Sequence, residues 1–288
     1  MKEDILDKSF KKAINGGSAG FMAMTGQVFG LMWMRTMINH QYRHGGTLSS
    51  TFRTLYKEGG IPRFYRGIGF ALMQAPVSRF GDTAMNIGMM ELLKDSDMNT
   101  ATKTFVGSCG AGLWRMSIMP LDTLKSSMQV NGNNGISILR DRISQQGLRT
   151  MYNGSLASGT ATIVGHFPWF FTYNYLQELI PRIEQYTSVD RYNQRQETDF
   201  FNTKKILRSG FIGFCSSSVS DVTSNAFRVI KVNRQTQSDN ISYSRLIKNI
   251  IEKEGINGLL TRGLKTKIIA NGIQGMLFTI IFDYLRNN

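Results

Sequence analysis

The chain alternates between long stretches free of charge and segments dense in it. Ala13–Met34 runs for 22 residues without a charged side chain. As a helix that is long enough to cross a bilayer. Thr150–Gln177 runs for 28 residues with His166 as its only interruption, and Ile268–Phe282 for 15, flanked by Lys267 and Asp283. None of the three is purely apolar, because Gly, Ser, Thr, Asn and Gln are mixed in. That blend suits helices packed closely on one another with a polar cavity on one face. Three further segments have the same character but for isolated charges: Arg79 and Asp82 in one, Arg115 in another, Asp221 in the last. The pattern predicts six helices of membrane length.

The six are organised as three repeats. Gly17–Asn39, Gly107–Gln129 and Gly213–Gln235 align without a gap. Each opens on small residues and closes on a basic residue (Arg35, Lys125 or Lys231), followed four positions later by Asn39, Gln129 or Gln235. About 30 residues further on, each repeat has a glycine-led turn ending in a basic or amide residue and Gly: EGGIPRFYRG at Glu58–Gly67, QGLRTMYNG at Gln146–Gly154 and EGINGLLTRG at Glu254–Gly263. A helix follows each turn and ends in a polar pair three apart: Glu91/Lys94, Asn174/Gln177 and Asp283/Arg286. The repeats occupy about 10–96, 100–181 and 203–288 of a single domain, 1–288, with a polar linker at 181–205.

This pattern resembles the mitochondrial carrier family, whose repeat reads Pro-x-[Asp/Glu]-x-x-[Lys/Arg] and then [Asp/Glu]-Gly-x4-aromatic-[Lys/Arg]-Gly. PLDTLK at Pro120–Lys125 matches the first element in full, and FYRG at Phe64–Gly67 matches the end of the second. The resemblance covers nearly the whole chain. It implies an all-α membrane protein: six transmembrane helices in three pseudo-symmetric repeats around a central cavity, with short surface helices on the matrix side. It also implies a multi-pass place in the mitochondrial inner membrane, a small-molecule substrate and alternating access, in which one ring of charges closes each side in turn.

The departures are specific. The motif proline is Pro120 in repeat 2 but Gly30 and Ala226 elsewhere, and its acid is Asp122 in repeat 2 but Met32 and Arg228 elsewhere. By family logic each acid pairs with the base of the next repeat, so the matrix gate of Arg35, Asp122, Lys125 and Lys231 retains one complete pair, Asp122 with Lys231. Gln129 and Gln235 resemble the braces beneath such pairs. Arg228 would face Arg35, a like-charge contact that disfavours closure. The cytosolic gate retains Glu91, Lys94, Asp283 and Arg286, with Asp283 and Lys94 as its complete pair. A resting state open to the matrix is therefore expected.

Ionisable residues at bilayer depth are functional candidates. Ten residues before the basic ring the repeats place Thr25, Arg115 and Asp221, and twelve before the cytosolic acid positions they place Arg79, Thr162 and Asn271. Arg115 precedes Asp122 by seven residues, almost two helical turns, so both share one face. That depth resembles the substrate contact points of carriers. Two arginines suit a carboxylate or phosphate, and Asp221 either holds an ammonium group or offsets Arg115. The site reads as one for an anion or a zwitterion, and an Arg115–Asp221 structural pair is the plainer alternative.

Composition by itself points elsewhere. The 288 residues carry 34 basic and 20 acidic side chains, a net charge of +14, and mean hydropathy is slightly negative at −0.19. That balance raises a soluble nucleic-acid binder. The basic residues recur with the repeat instead of clustering among aromatics, which argues against a nucleic-acid partner. Cys109 and Cys215 occupy one repeat position and read as packing residues, with no zinc spacing. His166 has no metal-sharing neighbour at helical spacing, and His40 with His44 reads as solvated. No nucleophile–base pair, P-loop or dinucleotide fingerprint is present, so neither an enzyme, a metal nor a cofactor is expected. The acid-rich start fits neither a secretory signal nor a transit peptide. The turns before Gly67, Gly154 and Gly263 resemble carrier sites for cardiolipin phosphates, set at helix N-termini. A monomer with bound cardiolipin is expected. The rival to transport is a carrier-derived membrane scaffold or receptor that no longer moves solute.

Overall fold

The computed structural model describes residues 27–93, 95–181, 194–239 and 241–274. Within them the chain is helical. Helix α1 covers 27–44, α2 Leu48–Phe64, α3 Ile68–Leu92, α4 Thr100–Ser117 and α5 Met119–Asn131. Then come α6 Gly135–Gln146, α7 Ser155–Leu179, α8 Gln194–Thr236, α9 Tyr243–Thr261 and α10 over 264–274. Three sets of helices follow one another: α1–α2–α3, then α4 and α5 with α6 and α7, then α8–α9–α10, with α10 described only over 264–274. Helix α8 begins inside the stretch that reads as a linker, being already helical at Gln194.

Proline chemistry separates the repeats. Pro120 sits in the first turn of α5, and the helix is interrupted at Ile118 (φ −85°, ψ 9°) immediately before it. Proline lacks the N–H that would continue the preceding helix, so α4 and α5 are two segments meeting at a bend. Where Ala226 replaces it, α8 runs unbroken for 43 residues. The short helices start on side-chain caps in two repeats: Thr47 with Ser50 forms a capping box before α2, and Ser242 accepts from Arg245 N–H before α9.

Equivalent glycines close each turn into the next long helix. Gly67, Gly154 and Gly263 have φ of 82°, 89° and 66°, a left-handed conformation open to glycine. Each also touches the neighbouring repeat: a Cβ at Gly154 would lie 2.9 Å from the Lys231 carbonyl oxygen. No other residue fits there.

A cyclic set of arginines ties repeat to repeat. Arg63, 2% exposed, donates 2.9 Å hydrogen bonds to the carbonyls of Gln129 and Val130 at the end of α5. Arg142 on α6 donates to the Gln235 carbonyl at the end of α8, 2.7 Å away. Arg262 reaches the Tyr42 and Arg43 carbonyls at the end of α1, at 3.4 and 3.3 Å. Helix ends leave carbonyls without helical partners, and a buried guanidinium satisfies two at once. Beside these caps lies the main core, where Met34, Met37, Tyr42, Leu55, Phe64, Val229 and Leu246 pack from four helices.

The apolar surface is turned outward. Leu113, Phe171 and Phe211 on α4, α7 and α8 are each more than half exposed, whereas the polar residues point to a shared interior. Among the described residues no helix is long and apolar enough by mean hydropathy to cross a membrane. The sidedness accounts for it: averaging along a helix mixes its apolar outer face with a polar inner one.

Candidate functional site

A cavity of about 390 Å³ in the interior is lined from α1, α3, α4, α5, α7, α8 and α10. Its lining includes the ring of motif bases, Arg35, Lys125 and Lys231. Asp122 on α5 accepts from Lys125 Nζ at 2.8 Å through Oδ1 and pairs with Lys231 Nζ at 2.7 Å through Oδ2. Gln235 Nε2 donates to the same Oδ2 at 2.8 Å. Gln129 accepts from Asn39 Nδ2 at 2.5 Å and donates to the Met32 sulfur at 3.3 Å. Lys125, left without an acid at position 32, also reaches Gln74 Oε1 at 2.9 Å. The third junction is made by Asn233 on α8, which donates to the Tyr42 carbonyl at 2.7 Å and accepts from Arg43 at 3.0 Å.

The expectation of a resting state open on that side turns equally on the opposite ring, whose Lys94, Asp283 and Arg286 lie outside the described residues; in this structure all three junctions of the present ring are joined. The reason lies in Arg228. It does not press on Arg35 but turns along its own helix and donates to Asp221 Oδ1 at 2.6 Å. The like-charge contact is relieved locally, and neutral side chains hold the junction where carboxylates are missing.

Asp221 is buried, with a side chain 6% exposed, and Lys267 Nζ lies 3.6 Å from its Oδ1. Asn271 Nδ2 donates to its Oδ2 at 2.6 Å. The Arg115–Asp221 pair does not form. Arg115 instead meets Asp82 on α3, Nε to Oδ1 at 2.9 Å and Nη2 to Oδ2. Topology decides this: α4 packs chiefly on α3 and α7, while α8 packs on α7 and α9.

Of the residues read as a substrate site, Arg79, Arg115, Thr162 and Asn271 line the cavity, and Asp221 stands behind Asn271. Arg79 is exposed to the cavity and has no hydrogen bond or ion pair with a described residue. The Thr162 hydroxyl donates to the Ser158 carbonyl within α7 at 3.1 Å. His166 also lines the cavity, with Nδ1 3.2 Å from Ser108 Oγ. Thr25, Lys94, Asp283 and Arg286 lie outside the described residues, and Glu91 lies in the last turn of α3. Of the two histidines expected to be solvated, His44 is exposed and His40 is half-buried, their rings 4.6 Å apart. Sequence reasoning gave no role to Asp82, Gln74 or Lys267. Asp82 was visible as the second charge in an otherwise uncharged helix.

Seven cationic side chains line the cavity: Arg35, Arg79, Arg115, Lys125, Arg228, Lys231 and Lys267. Three carboxylates pair with them among the described residues: Asp82, Asp122 and Asp221. Among the described residues the cavity therefore carries an excess of fixed positive charge.

Three pseudo-equivalent helix sets, a bent helix at Pro120 and a charged ring closing a polar cavity define a repeat-built membrane carrier. The family described as "Mitochondrial carrier protein" matches residues 96–184 and 202–288. The chain belongs to that family. It is 25% identical over 281 residues to mitochondrial substrate carrier family protein C of Dictyostelium discoideum, covering 90% of this chain and 54% of that protein. It is 22% identical over 302 residues to mitoferrin of the same organism, covering 95% and 92%. A mitochondrial adenyl nucleotide antiporter of Danio rerio is 22% identical over 290 residues, covering 96% of this chain and 58% of the relative. The chain thus spans a little over half the length of two of these relatives and nearly all of mitoferrin.

Proposed function

We propose that the protein carries a small organic anion across the mitochondrial inner membrane by alternating access. The observation that supports this is the charge balance of the cavity, seven cations against three carboxylates. Such an excess is costly at membrane depth unless an anion occupies it. The sequence leaves room for a zwitterion held by Asp221. Its carboxylate is engaged by Arg228, Lys267 and Asn271, which favours the anionic reading. Arg79 and Arg115 are the contacts for a carboxylate or phosphate, with Thr162 and Asn271 as flanking hydrogen-bonding groups.

Family relatives named for transport, among them an adenyl nucleotide antiporter, support movement of a solute in place of a purely structural role. In the transport cycle the ring of Asp122, Lys231 and Gln235 opens as the opposite end closes. Cardiolipin phosphates would sit at the starts of α3 and α7, where left-handed Gly67 and Gly154 provide no side-chain cap and leave first-turn N–H groups available. A monomer suffices, because one chain encloses the cavity.

The test is reconstitution into liposomes with a panel of carboxylates, amino acids, nucleotides and phosphate. Uptake of an anion by the wild type, lost in Arg115→Ala, is the expected result. Uptake confined to neutral or cationic solutes would overturn the anion reading, and a folded protein that moves none of the panel would favour the scaffold.

A further inference from the structure

The ring has lost two of its three acids but kept all three of its bases. Met32 and Arg228 stand at the positions equivalent to Asp122. Asp122 takes up two of the bases, Lys125 and Lys231. The third, Arg35, lines the cavity and has no hydrogen bond or ion pair with a described residue. Arg228, a cation where the repeat calls for an acid, shares Asp221 Oδ1 with Lys267. Around the ring five cations therefore meet two carboxylates. A ring selected only for closure gains nothing from this arrangement, since an acid at position 228 would attract Arg35 where an arginine repels it.

We propose that Arg35 and Arg228, with Lys267 beside them, form a second anion subsite at the ring, and that it takes a phosphate group. The substrate is then an organic phosphate whose other end reaches Arg79 and Arg115. The local excess of positive charge exceeds what one carboxylate neutralises, whereas a phosphate monoester carries close to two negative charges and three acceptor oxygens. Guanidinium groups bind such oxygens in pairs. Arg115 lies seven residues before the ring level across the bend at Ile118, at most about 10 Å away along the chain axis, so a solute with polar groups at both ends is needed to touch both levels. Arg228 is placed for the exchange. It leaves Asp221 for the incoming phosphate, and Asp221 retains Lys267 and Asn271, the latter at 2.6 Å. This inference rests on the cavity being an anion path, and it adds the class of anion and the place where its phosphate binds.

The experiment measures the thermal unfolding midpoint of the purified full chain in lipid–detergent micelles, titrated with glycerol 3-phosphate, succinate, propionate or chloride at matched ionic strength. A ligand that binds the folded state raises the midpoint in proportion to its affinity. Glycerol 3-phosphate is expected to raise it most. Arg35→Gln and Arg228→Gln are each expected to weaken that affinity about ten-fold and to leave propionate, which needs only the upper arginines, within about two-fold. Arg228→Glu restores an acid opposite Arg35, so it is expected to raise the ligand-free midpoint while erasing the phosphate response. A merely damaged fold would lower that midpoint. Unchanged phosphate affinity in all three variants overturns the subsite while the anion path stands. Succinate or chloride stabilising as strongly as the phosphate overturns the phosphate class. If no anion stabilises the wild type, the anion path itself falls, and this inference with it.

Discussion

Arg115 on α4 and Asp82 on α3 form a two-pronged ion pair at the cavity wall, with Nε 2.9 Å from Oδ1. Asp82 is nearly buried while Arg115 is about one-third exposed. One partner is thus sealed into the helix interface and the other faces the solute path. Under the proposed function an anion would compete with Asp82 for the same guanidinium, which would make the pair both a staple and a contact point.

Separating those roles is straightforward. Arg115→Ala should abolish uptake and also lower the thermal midpoint, because it leaves the Asp82 carboxylate buried alone. Adding Asp82→Ala should recover much of the midpoint and none of the uptake. Recovery of uptake in the double variant would show that Arg115 serves only the fold.

Asp122 is shared by Lys125, Lys231 and Gln235, so its loss strands two lysines at once. Asp122→Asn should destabilise the closed ring by on the order of 3 kcal/mol. Single cysteines placed beyond the ring should become reactive from the cavity side. Gln235→Ala, which removes the hydrogen bond to Asp122 and a longer one to Thr123, should cost about 1–2 kcal/mol and shift reactivity less.

Arg63 caps the end of α5 from another repeat with two 2.9 Å hydrogen bonds and meets Glu58 at 2.7 Å. Arg63→Ala should lower stability by about 3 kcal/mol, since two buried carbonyls lose a charged donor. Arg63→Lys should recover little, because an ammonium does not reproduce the planar fork. Chemical denaturation in detergent compares the two.

Glu254 and Arg262 form the matching pair in the third repeat, Oε1 to Nη2 at 2.7 Å. The hydrogen bonds from Arg262 hold the Glu254 carboxyl below the usual glutamate range. The folded state then binds fewer protons than the unfolded one, so stability from this pair is complete above the unfolded value near 4.3. It declines as pH falls through the depressed folded value. The midpoint difference between wild type and Glu254→Gln should be constant above about pH 5 and close on acidification. A difference that widens in acid would contradict the pairing.

Much of the fold was legible because repetition multiplies weak signals. Gly67, Gly154 and Gly263 mark three helix starts, and their common left-handed backbone explains why no other residue stands there. Asp122 and Lys231 were legible as partners for the same reason. The upper site was legible only as a set of positions. Registers place Arg115 and Asp221 at one depth, but neighbours in depth need not be neighbours in packing. Arg115 chose Asp82 on an adjacent helix, and Asp221 chose Arg228 on its own.

The chain by itself placed Arg79, Arg115, Thr162 and Asn271 on the inward side of their helices, because helical periodicity and a threefold repeat are properties of one dimension. Tertiary structure decided which charges meet. Ion pairing depends on side-chain reach across particular helix interfaces, and no spacing along the chain encodes that. It also showed how a ring short of two acids still closes: Asn39, Gln129 and Asn233 bridge the junctions, and Arg228 is drawn away to Asp221.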